Sequence, residues 1–252
     1  MSPRPRALGL LGVLLGGVLL TGCAHVTRKD VVIPPTAVAG PLTAAQQAFA
    51  GARSAMLAAA AHLPDAAHRL DTIDAAAARG AYDPAKSAQP GATTAVARVG
   101  TALTNLPKLA DAEGRALDAL ATAGQSPRLS AAQQQAVAAV VAAARTELTQ
   151  VRTLAADQRA GWGAYSQLWD AETEWIYRAG AGFFPSQTTG GYDPTVAAQA
   201  YTVRTHPIRA AVEHERTGLA HATAALARDA DAVAAAIDSA SGLFAPDATP
   251  TP

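Results

Sequence analysis

Apolar residues recur at helical spacing along most of the chain, and the longest such series lies between Ser130 and Ala179. Its members repeat every three or four residues, which is the spacing of one helix face. They are Val137, Val140, Val141, Ala144, Leu148, Val151, Ala155, Trp162, Tyr165, Trp169 and Ile176. Because Ser130 and Gln133 form a capping box at its start, the pattern predicts a helix of about 50 residues, roughly 75 Å long. The sequence leaves open whether this helix bends at Gly161 or Gly163, since an isolated glycine costs only about 1 kcal/mol.

Shorter apolar series predict the remaining helices, and proline or glycine separates them. The predicted helices span about residues 43–62, 65–80, 92–106, 107–123, 193–203 and 207–239. The first helix is expected to open with a capping box formed by Thr43 and Gln46. Residues 82–91, which contain two prolines, are predicted as a connector, and residues 180–191 as a glycine-rich loop.

These elements predict an all-α fold, namely an elongated up-and-down bundle of about six or seven helices with one very long helix. No strand is predicted. The bundle is expected to occupy residues 42–240 as a single domain, and residues 241–252 are expected to form a disordered tail. Within this domain, the triplet Tyr-Asp-Pro at residues 82–84 recurs at residues 192–194. The repeat suggests either an internal duplication or two helices that start with the same common signal, an aspartate cap before a proline.

The amino-terminal stretch carries the most specific motif in the chain. Arg4 and Arg6 precede an apolar run over residues 7–20, which has the length of a signal-peptide core and is too short to span a bilayer. The run ends in the Leu-Thr-Gly-Cys sequence of residues 20–23, which contains the only cysteine. This sequence resembles a bacterial lipobox, the processing motif of bacterial lipoproteins.

The resemblance implies a lipid anchor. In bacterial lipoproteins the cysteine thiol receives a diacylglyceryl group, a dedicated peptidase cuts before the cysteine, and the new amino terminus is often acylated, for example with palmitate. By this resemblance, residues 1–22 are a signal peptide and Cys23 attaches the mature chain to a membrane. Two acyl chains are enough for stable attachment, whereas one chain binds only marginally.

The residues after Cys23 bear on where the protein is located. Residues 23–41 are predicted to be the lipidated terminus and a flexible tether that holds the body on the order of 20–25 Å from the bilayer. The expected location is the cell envelope, on the extracytoplasmic side. Ala24 is not the aspartate associated with retention in the inner membrane. We therefore expect the outer membrane, facing the periplasm, in a bacterium with two membranes, and the outer face of the cell membrane in a bacterium with one.

Composition refines this interpretation. Alanine supplies 66 of the 252 residues and aromatic residues only 5%, which favours helices that pack closely over a thin core. Removal of the signal peptide takes Arg4 and Arg6 with it, leaving 18 Lys+Arg against 20 Asp+Glu. This slightly acidic balance argues against nucleic acid as a partner. The membrane, reached through Cys23, and an envelope protein are the partners that we expect.

The chain contains no sequence motif for catalysis, nucleotide binding or a thiolate metal site. His62, Asp65 and His68 have a spacing that suggests metal ligands, but Pro64 interrupts the helix that would align them. We therefore expect no metal and no cofactor.

Two glutamates depart from the hydrophobic pattern. Glu172 falls on the apolar face of the long helix, within roughly 60° of Tyr165 and Trp169, and Glu215 falls on the apolar face of the last helix. A buried carboxylate must be paired, hydrogen-bonded or protonated, because isolated burial of a charge is very costly. Both glutamates therefore require an explanation.

Nine of the twelve aromatic residues lie between positions 162 and 201, so large side chains concentrate near these glutamates. One interpretation is an aromatic core in which Arg204, Arg209 or the backbone satisfies both carboxylates, or in which both carboxylates are simply solvated near an end of the bundle. The other is an aromatic pocket with an acidic floor, suited to a cationic or polyhydroxylated ligand or to a metal. The candidate ligand-binding residues are Trp162, Tyr165, Trp169, Glu172 and Glu215.

These observations support a non-enzymatic lipoprotein of the cell envelope that acts as a structural or protein-interaction module. An exposed apolar patch near Phe183 and Phe184 or on the long helix would favour this hypothesis. The alternative is a ligand-binding lipoprotein that uses the region from Trp162 to Tyr201. A third hypothesis, an enzyme with the two glutamates as acid and base, has no further support because nothing else in the sequence specifies a reaction.

Overall fold

The computed structural model describes residues 39–241, of which 88% are helical. The five helices are α1 (Ala39–Ala60), α2 (Leu63–Ala77), α3 (Tyr82–Gly124), α4 (Ala131–Gly180) and α5 (Pro194–Ser241). The predicted all-α fold is confirmed, since the described residues contain no strand, only an isolated antiparallel bridge between Pro185 and Tyr192. The predicted signal peptide, Cys23, most of the predicted tether and nearly all of the predicted tail lie outside the described residues.

The number of helices differs from the prediction of six or seven. There are five in the described residues, or four long runs if α1 and α2, which only Ala61 and His62 separate, are counted together. The predicted connector over 82–91 is the beginning of α3, which also includes both helices predicted after it. In the same way, α5 runs without interruption through the break predicted before Pro207.

The prolines explain why these breaks were predicted and why they do not occur. Pro90 and Pro107 lie within α3 and Pro207 within α5, and each proline inside a helix costs about 3 kcal/mol. Apolar residues nevertheless continue at helical spacing past them, and burying one large apolar side chain contributes about 1.5–3 kcal/mol. Around Pro107, for example, the buried residues are Val99, Leu103, Leu106 and Ala110. Burial of a continuous apolar face therefore outweighs the lost backbone hydrogen bonds.

The longest helix, α4, follows the sequence pattern closely. It has 50 residues and passes through Gly161 and Gly163 without a break. Its capping box is present, because the Ser130 hydroxyl accepts from the Gln133 amide at 3.2 Å and the Gln133 side chain accepts from the Ser130 amide at 3.0 Å. The capping box predicted at Thr43 is wrong, since α1 begins four residues earlier, at Ala39.

The described chain divides into two compact units, each built from four helical segments. Unit 1 contains residues 39–61, 105–153 and 222–241, and unit 2 contains residues 62–104 and 154–221. The large apolar core residues of unit 1 include Leu42, Phe49, Met56, Leu57, Leu106, Leu117, Leu120, Val140, Leu148, Val151, Leu226 and Val233. Those of unit 2 include Leu63, Leu70, Ile73, Val99, Leu103, Leu154, Leu168, Trp175, Ile176, Phe184, Val212 and Leu219. The boundaries of a single domain over 42–240 stay a prediction.

The loop between α4 and α5 belongs to unit 2 and packs against its core. Phe184 is buried and stacks on Trp175, with the ring centres 6.4 Å apart. The indole nitrogen of Trp175 donates to the Ala197 carbonyl at 2.9 Å, which links α4 to the first turn of α5. Asp193 caps that turn by accepting from the amide of Thr195 at 2.9 Å, in agreement with the predicted helix start.

The two Tyr-Asp-Pro triplets lie side by side. The rings of Tyr82 and Tyr192 are 6.4 Å apart, and the Tyr192 hydroxyl donates to the Gly80 carbonyl at 2.8 Å. Each triplet marks the start of a helix, α3 or α5, so these two helices begin at the same end of unit 2. The role as a helix start accounts for both triplets, and an internal duplication stays a prediction.

Candidate functional site

A buried glutamate lies in the interior of unit 2. Glu172 follows Tyr165 and Leu168 at intervals of seven and four residues, so α4 presents all three on one face. The Glu172 side chain is 0% exposed, and neither of its carboxyl oxygens has a hydrogen-bond partner. Since an isolated buried carboxylate is very costly, this environment favours the protonated acid.

The charges around Glu172 lead to the same conclusion. Burial raises the pKa of Glu172 to about 9, and the negative charges of Asp74 and Asp71 on α2 add to this effect. Tyr201 and Arg216 on α5 lower the pKa but do not offset the burial. We therefore expect Glu172 to be a neutral acid at pH 7, able to donate one hydrogen bond and to accept others.

Arg204 and Arg209, which the sequence suggested as partners of the two glutamates, bind other carboxylates. Arg209 donates to both oxygens of Asp74, at 3.1 and 3.4 Å, and Arg204 donates to Glu174 at 3.3 Å. The expectation that Arg204 or Arg209 satisfies Glu172 is therefore not met. Glu172 is buried as predicted, but as an acid without an ion-pair partner.

Asp71 and Asp74 connect α2 to α5 beside this acid. The buried Tyr201 hydroxyl donates to Asp74 at 2.8 Å, on the same carboxylate that Arg209 binds. Arg216 pairs with Asp71 and also donates to Glu213 on its own helix at 2.6 Å. These contacts join α2 and α5 through charged groups at the edge of the core.

The predicted aromatic residues are brought together only in part. Tyr165 is 2% exposed, its hydroxyl has no hydrogen-bond partner, and burial raises its pKa to about 12. The ring of Trp162 lies 6.3 Å from that of Tyr165. Trp162 and Trp169 are half-buried.

The second predicted glutamate lies in a different part of unit 2. Glu215 is half-buried, and its carboxylate lies directly over Gly161, so that a side chain on Gly161 would overlap it. Gly161 precedes Glu172 by eleven residues, which is on the order of 16 Å along α4. The two glutamates therefore do not form the floor of one common pocket, although each stays a candidate by itself.

A small cavity lies beside Leu168, between the levels of Tyr165 and Glu172. Its lining includes Asp74, Leu168, Arg209 and Arg216, and its volume is about 200 Å³. Small-molecule sites usually enclose about 300–1,000 Å³. This cavity is therefore smaller than a typical ligand site, and the charged groups named here already pair with one another or with Asp71 and Glu213.

A second polar layer, which the sequence interpretation missed, crosses the interior of unit 1. Arg53 on α1 donates two hydrogen bonds to Glu147 on α4, at 2.6 and 2.8 Å, and one to the Ala230 carbonyl on α5 at 3.3 Å. Glu113 on α3 completes the layer. Its side chain is 0% exposed, and neither carboxyl oxygen has a partner. Burial raises the pKa of Glu113 to about 8, and the charge of Glu147 contributes.

The sequence did contain a signal for this layer. Arg53 lies four residues after Phe49 and three before Met56, on the buried face of α1. Glu113 and Glu147 occupy equivalent positions among buried residues of α3 and α4. The criterion that identified Glu172, a charged residue on an apolar face, would have identified all three.

The described residues do not form a metal site. Within 39–241, no group of three or more histidine, cysteine, aspartate or glutamate residues is arranged to hold a metal ion. The Nδ1 atom of His62 lies 3.2 Å from an oxygen of Asp65, an ordinary contact within one turn, and His68 is exposed. Over the same range, no helix has both the length and the apolar character that a membrane span requires.

Within residues 39–241, the exposed large apolar side chains are confined to one region of unit 2. The large hydrophobic residues that are exposed in the described chain are Tyr177, Phe183, Tyr192, Val196 and Val203. They belong to the end of α4, the following loop and the first ten residues of α5. We refer to these five residues as the α4–α5 apolar surface. Of the two adjacent phenylalanines, Phe183 is 58% exposed and Phe184 is buried.

An arginine joins the aromatic part of this surface to α4. The Arg178 guanidinium lies 5.6 Å from the ring centres of both Phe183 and Phe184. It also pairs with Glu174 at 3.6 Å, one turn earlier on α4. Exposed aromatic rings next to an arginine are the residue types that are enriched at protein–protein contacts.

No protein-family model, curated protein or solved structure matches this chain.

Proposed function

We propose that the protein is a bacterial cell-envelope lipoprotein, anchored to the membrane through Cys23, whose helical body is a non-enzymatic module that binds an envelope protein. The α4–α5 apolar surface is the observation that carries this proposal. Tyr177 is 71% exposed and Val203 is 70% exposed, whereas large hydrophobic residues elsewhere in the described chain are buried or half-buried. Clustered apolar exposure of this kind marks interaction sites.

The organisation of the surface supports a protein as the partner. Val196 and Val203 are seven residues apart, so they lie on the same side of α5, about 10 Å from each other along the axis. Tyr177 and Phe183 add aromatic anchors, and the charged side chains of Arg178 and Glu174 lie beside them. Apolar anchors with adjacent charged groups are the usual arrangement of a protein-binding site.

Membrane attachment follows from the lipobox resemblance of residues 20–23 and not from the helices. The predicted tether between Cys23 and the start of α1 at Ala39 would allow the helical body to reach partners on the order of 20 Å from the bilayer. The proposal therefore assigns two separate tasks to the chain. Cys23 fixes the protein to a membrane, and the helical body presents the α4–α5 apolar surface.

Affinity purification from detergent-solubilised envelope of the native host tests this function. The tagged wild type is compared with a Tyr177→Ser/Phe183→Ser variant, and Ala138→Ser, at an exposed position in unit 1, is the control. We expect at least one envelope protein to co-purify with wild type and control and to be depleted about tenfold or more with the double variant, since an aromatic anchor commonly contributes about 2 kcal/mol. Equal recovery with all three proteins would contradict the proposal.

A ligand-binding lipoprotein is the second candidate. The observation that favours it is that Glu172 and the Tyr165 hydroxyl are buried without hydrogen-bond partners, since such groups often belong to a site that water, an ion or a ligand completes. The candidate site comprises Tyr165, Trp169 and Glu172, and Trp162 adjoins it through its ring contact with Tyr165. Tryptophan fluorescence during a screen of cationic and polyhydroxylated compounds tests it. A response that Glu172→Gln abolishes would support this function, and a response that the variant retains would exclude Glu172.

A further inference from the structure

Two ion pairs of the same type connect α3 and α4 on the surface of unit 1. Arg152 donates to Asp111 at 3.1 Å, and Arg145 donates to Asp118 at 3.0 Å. The aspartates are seven residues apart on α3 and the arginines seven residues apart on α4, in opposite order. The two ion pairs are therefore separated by two helical turns, about 10 Å, along a pair of antiparallel helices.

A groove lies between these ion pairs because Gly114 has no side chain. The nearest side-chain atoms to a methyl group placed on Gly114 would be an Arg152 nitrogen at 3.5 Å and a Leu148 carbon at 3.8 Å, which are ordinary contacts. Leu117 and Leu148, both buried, line the groove together with the ion-paired residues. Its volume is about 480 Å³, within the range of about 300–1,000 Å³ of small-molecule sites.

The groove carries an excess of positive charge. Arg115, Arg145 and Arg152 line it, against Asp111 and Asp118. Each ion-paired arginine uses one terminal nitrogen for its aspartate and stays about half exposed, at 57% and 52%. A guanidinium has five N–H donors, so most of them remain accessible to a ligand. Arg115 is exposed and has no ion-pair partner among the described residues.

We propose that this groove binds an oxyanion, the carboxylate or phosphate group of a small molecule or polymer. Planar guanidinium groups recognise both kinds of oxyanion through paired, charge-assisted hydrogen bonds. Asp111 and Asp118 hold two of the guanidiniums in position before the ligand arrives, which reduces the entropy lost on binding. The groove is distinct from the α4–α5 apolar surface, and the inference stands on its own.

Gly114 allows a test that leaves every charge in place. Gly114→Leu fills the groove, whereas Gly114→Ala adds only a methyl group at ordinary contact distance and serves as the matched control. Both replacements introduce good helix formers, so both variants should fold. Arg152→Gln removes one guanidinium, with Arg98→Gln, an exposed arginine of unit 2, as its control.

The experiment titrates the mature protein, in detergent, with inorganic phosphate and separately with citrate, at an ionic strength held constant with sodium chloride. Amide chemical shifts of residues 111–118 and 145–152 report binding. We expect saturable shifts in the wild type and in Gly114→Ala, and an affinity about tenfold weaker in Gly114→Leu and Arg152→Gln. Tighter binding of phosphate would indicate a phosphate-bearing ligand, and tighter binding of citrate a carboxylate-bearing one; either result supports the proposal. Shifts that do not saturate with either anion, or equal affinity in Gly114→Leu and Gly114→Ala, would overturn it.

Discussion

Arg53 and Glu147 form a two-bond ion pair inside unit 1, with the side chains only 6% and 0% exposed. The Glu113 carboxyl group lies in the same layer without a partner. The positive charge of Arg53 thus balances the negative charge of Glu147, and the carboxyl group of Glu113 is expected to be neutral. The same solution, a protonated buried glutamate, occurs at Glu172 in unit 2.

Removing the charge of Glu147 is predicted to destabilise the protein strongly. Glu147→Gln leaves the Arg53 guanidinium buried and unpaired, and breaking such a pair typically costs about 3–5 kcal/mol. Glu174→Gln is the control, because Glu174 is 46% exposed and surface pairs contribute about 0–1 kcal/mol. Urea unfolding measures the loss in free energy of unfolding for each variant. Equal losses in the two variants would contradict the assignment of a buried ion pair.

Stability is predicted to fall as the pH rises. An ordinary glutamate has a pKa of 4.5, whereas burial raises the pKa of Glu113 to about 8 and that of Glu172 to about 9 in the folded protein. Between the unfolded and folded values, the folded state holds protons that the unfolded state releases. The free energy of unfolding that these protons contribute is complete below about pH 4.5. It is lost as the pH rises through 8 to 9, by up to about 1.4 kcal/mol per pH unit for each group.

Replacing Glu172 by glutamine is predicted to remove part of this pH dependence. Glutamine resembles the protonated acid, so Glu172→Gln should match the wild type within about 1 kcal/mol at pH 4 and be more stable at pH 9. Urea unfolding at the two pH values measures this difference. An unchanged pH dependence in the variant would mean that Glu172 is ionised in the folded protein.

Two nearby glycines of α4 are predicted to respond in opposite ways to alanine. Gly163→Ala has open space around the new methyl group and should stabilise the protein by up to about 1 kcal/mol through helix propensity. Gly161→Ala should not stabilise the protein, because its methyl group overlaps the Glu215 carboxylate and displaces it. Thermal unfolding of Gly161→Ala with and without Glu215→Ala checks the cause. If Glu215→Ala does not restore the gain, the overlap is not the reason.

The anchor is predicted to depend on a single atom, the sulfur of Cys23. Cys23→Ser removes the thiol that accepts the diacylglyceryl group, so the precursor should stay unlabelled and uncleaved. Metabolic labelling with a fatty-acid analogue, combined with mass spectrometry of the amino terminus, measures both effects. A serine variant that is still labelled would disprove anchoring through Cys23.

The fold was largely predictable where the hydrophobic pattern and the local capping signals agree. The length of α4 and its capping box at Ser130 followed from such agreement. The continuity of α3 and α5 did not, because proline is a strong local signal for a break, whereas the burial that carries the helix past Pro107 and Pro207 depends on contacts distant in sequence. Local signals therefore gave too many helices.

The polar interior was only partly predictable for a related reason. The position of Glu172 on an apolar face indicated burial, and it is buried. Which residue pairs with which depends on the packing of four helical segments, so the sequence did not reveal that Arg209 binds Asp74 or that Arg53 binds Glu147. In unit 1 the corresponding signal is the presence of Arg53, Glu113 and Glu147 on the apolar faces of α1, α3 and α4.

Photo-crosslinking in intact cells tests the proposed function most directly. A photoreactive amino acid replaces Phe183, on the α4–α5 apolar surface, or Ala138, at an exposed position in unit 1. If the helical body is an interaction module, the photoreactive residue at position 183 should give a discrete adduct with one envelope protein. This adduct should be absent from position 138 and weakened by Tyr177→Ser. The same adducts from both positions, or none from position 183, would contradict the proposal that this surface binds a partner.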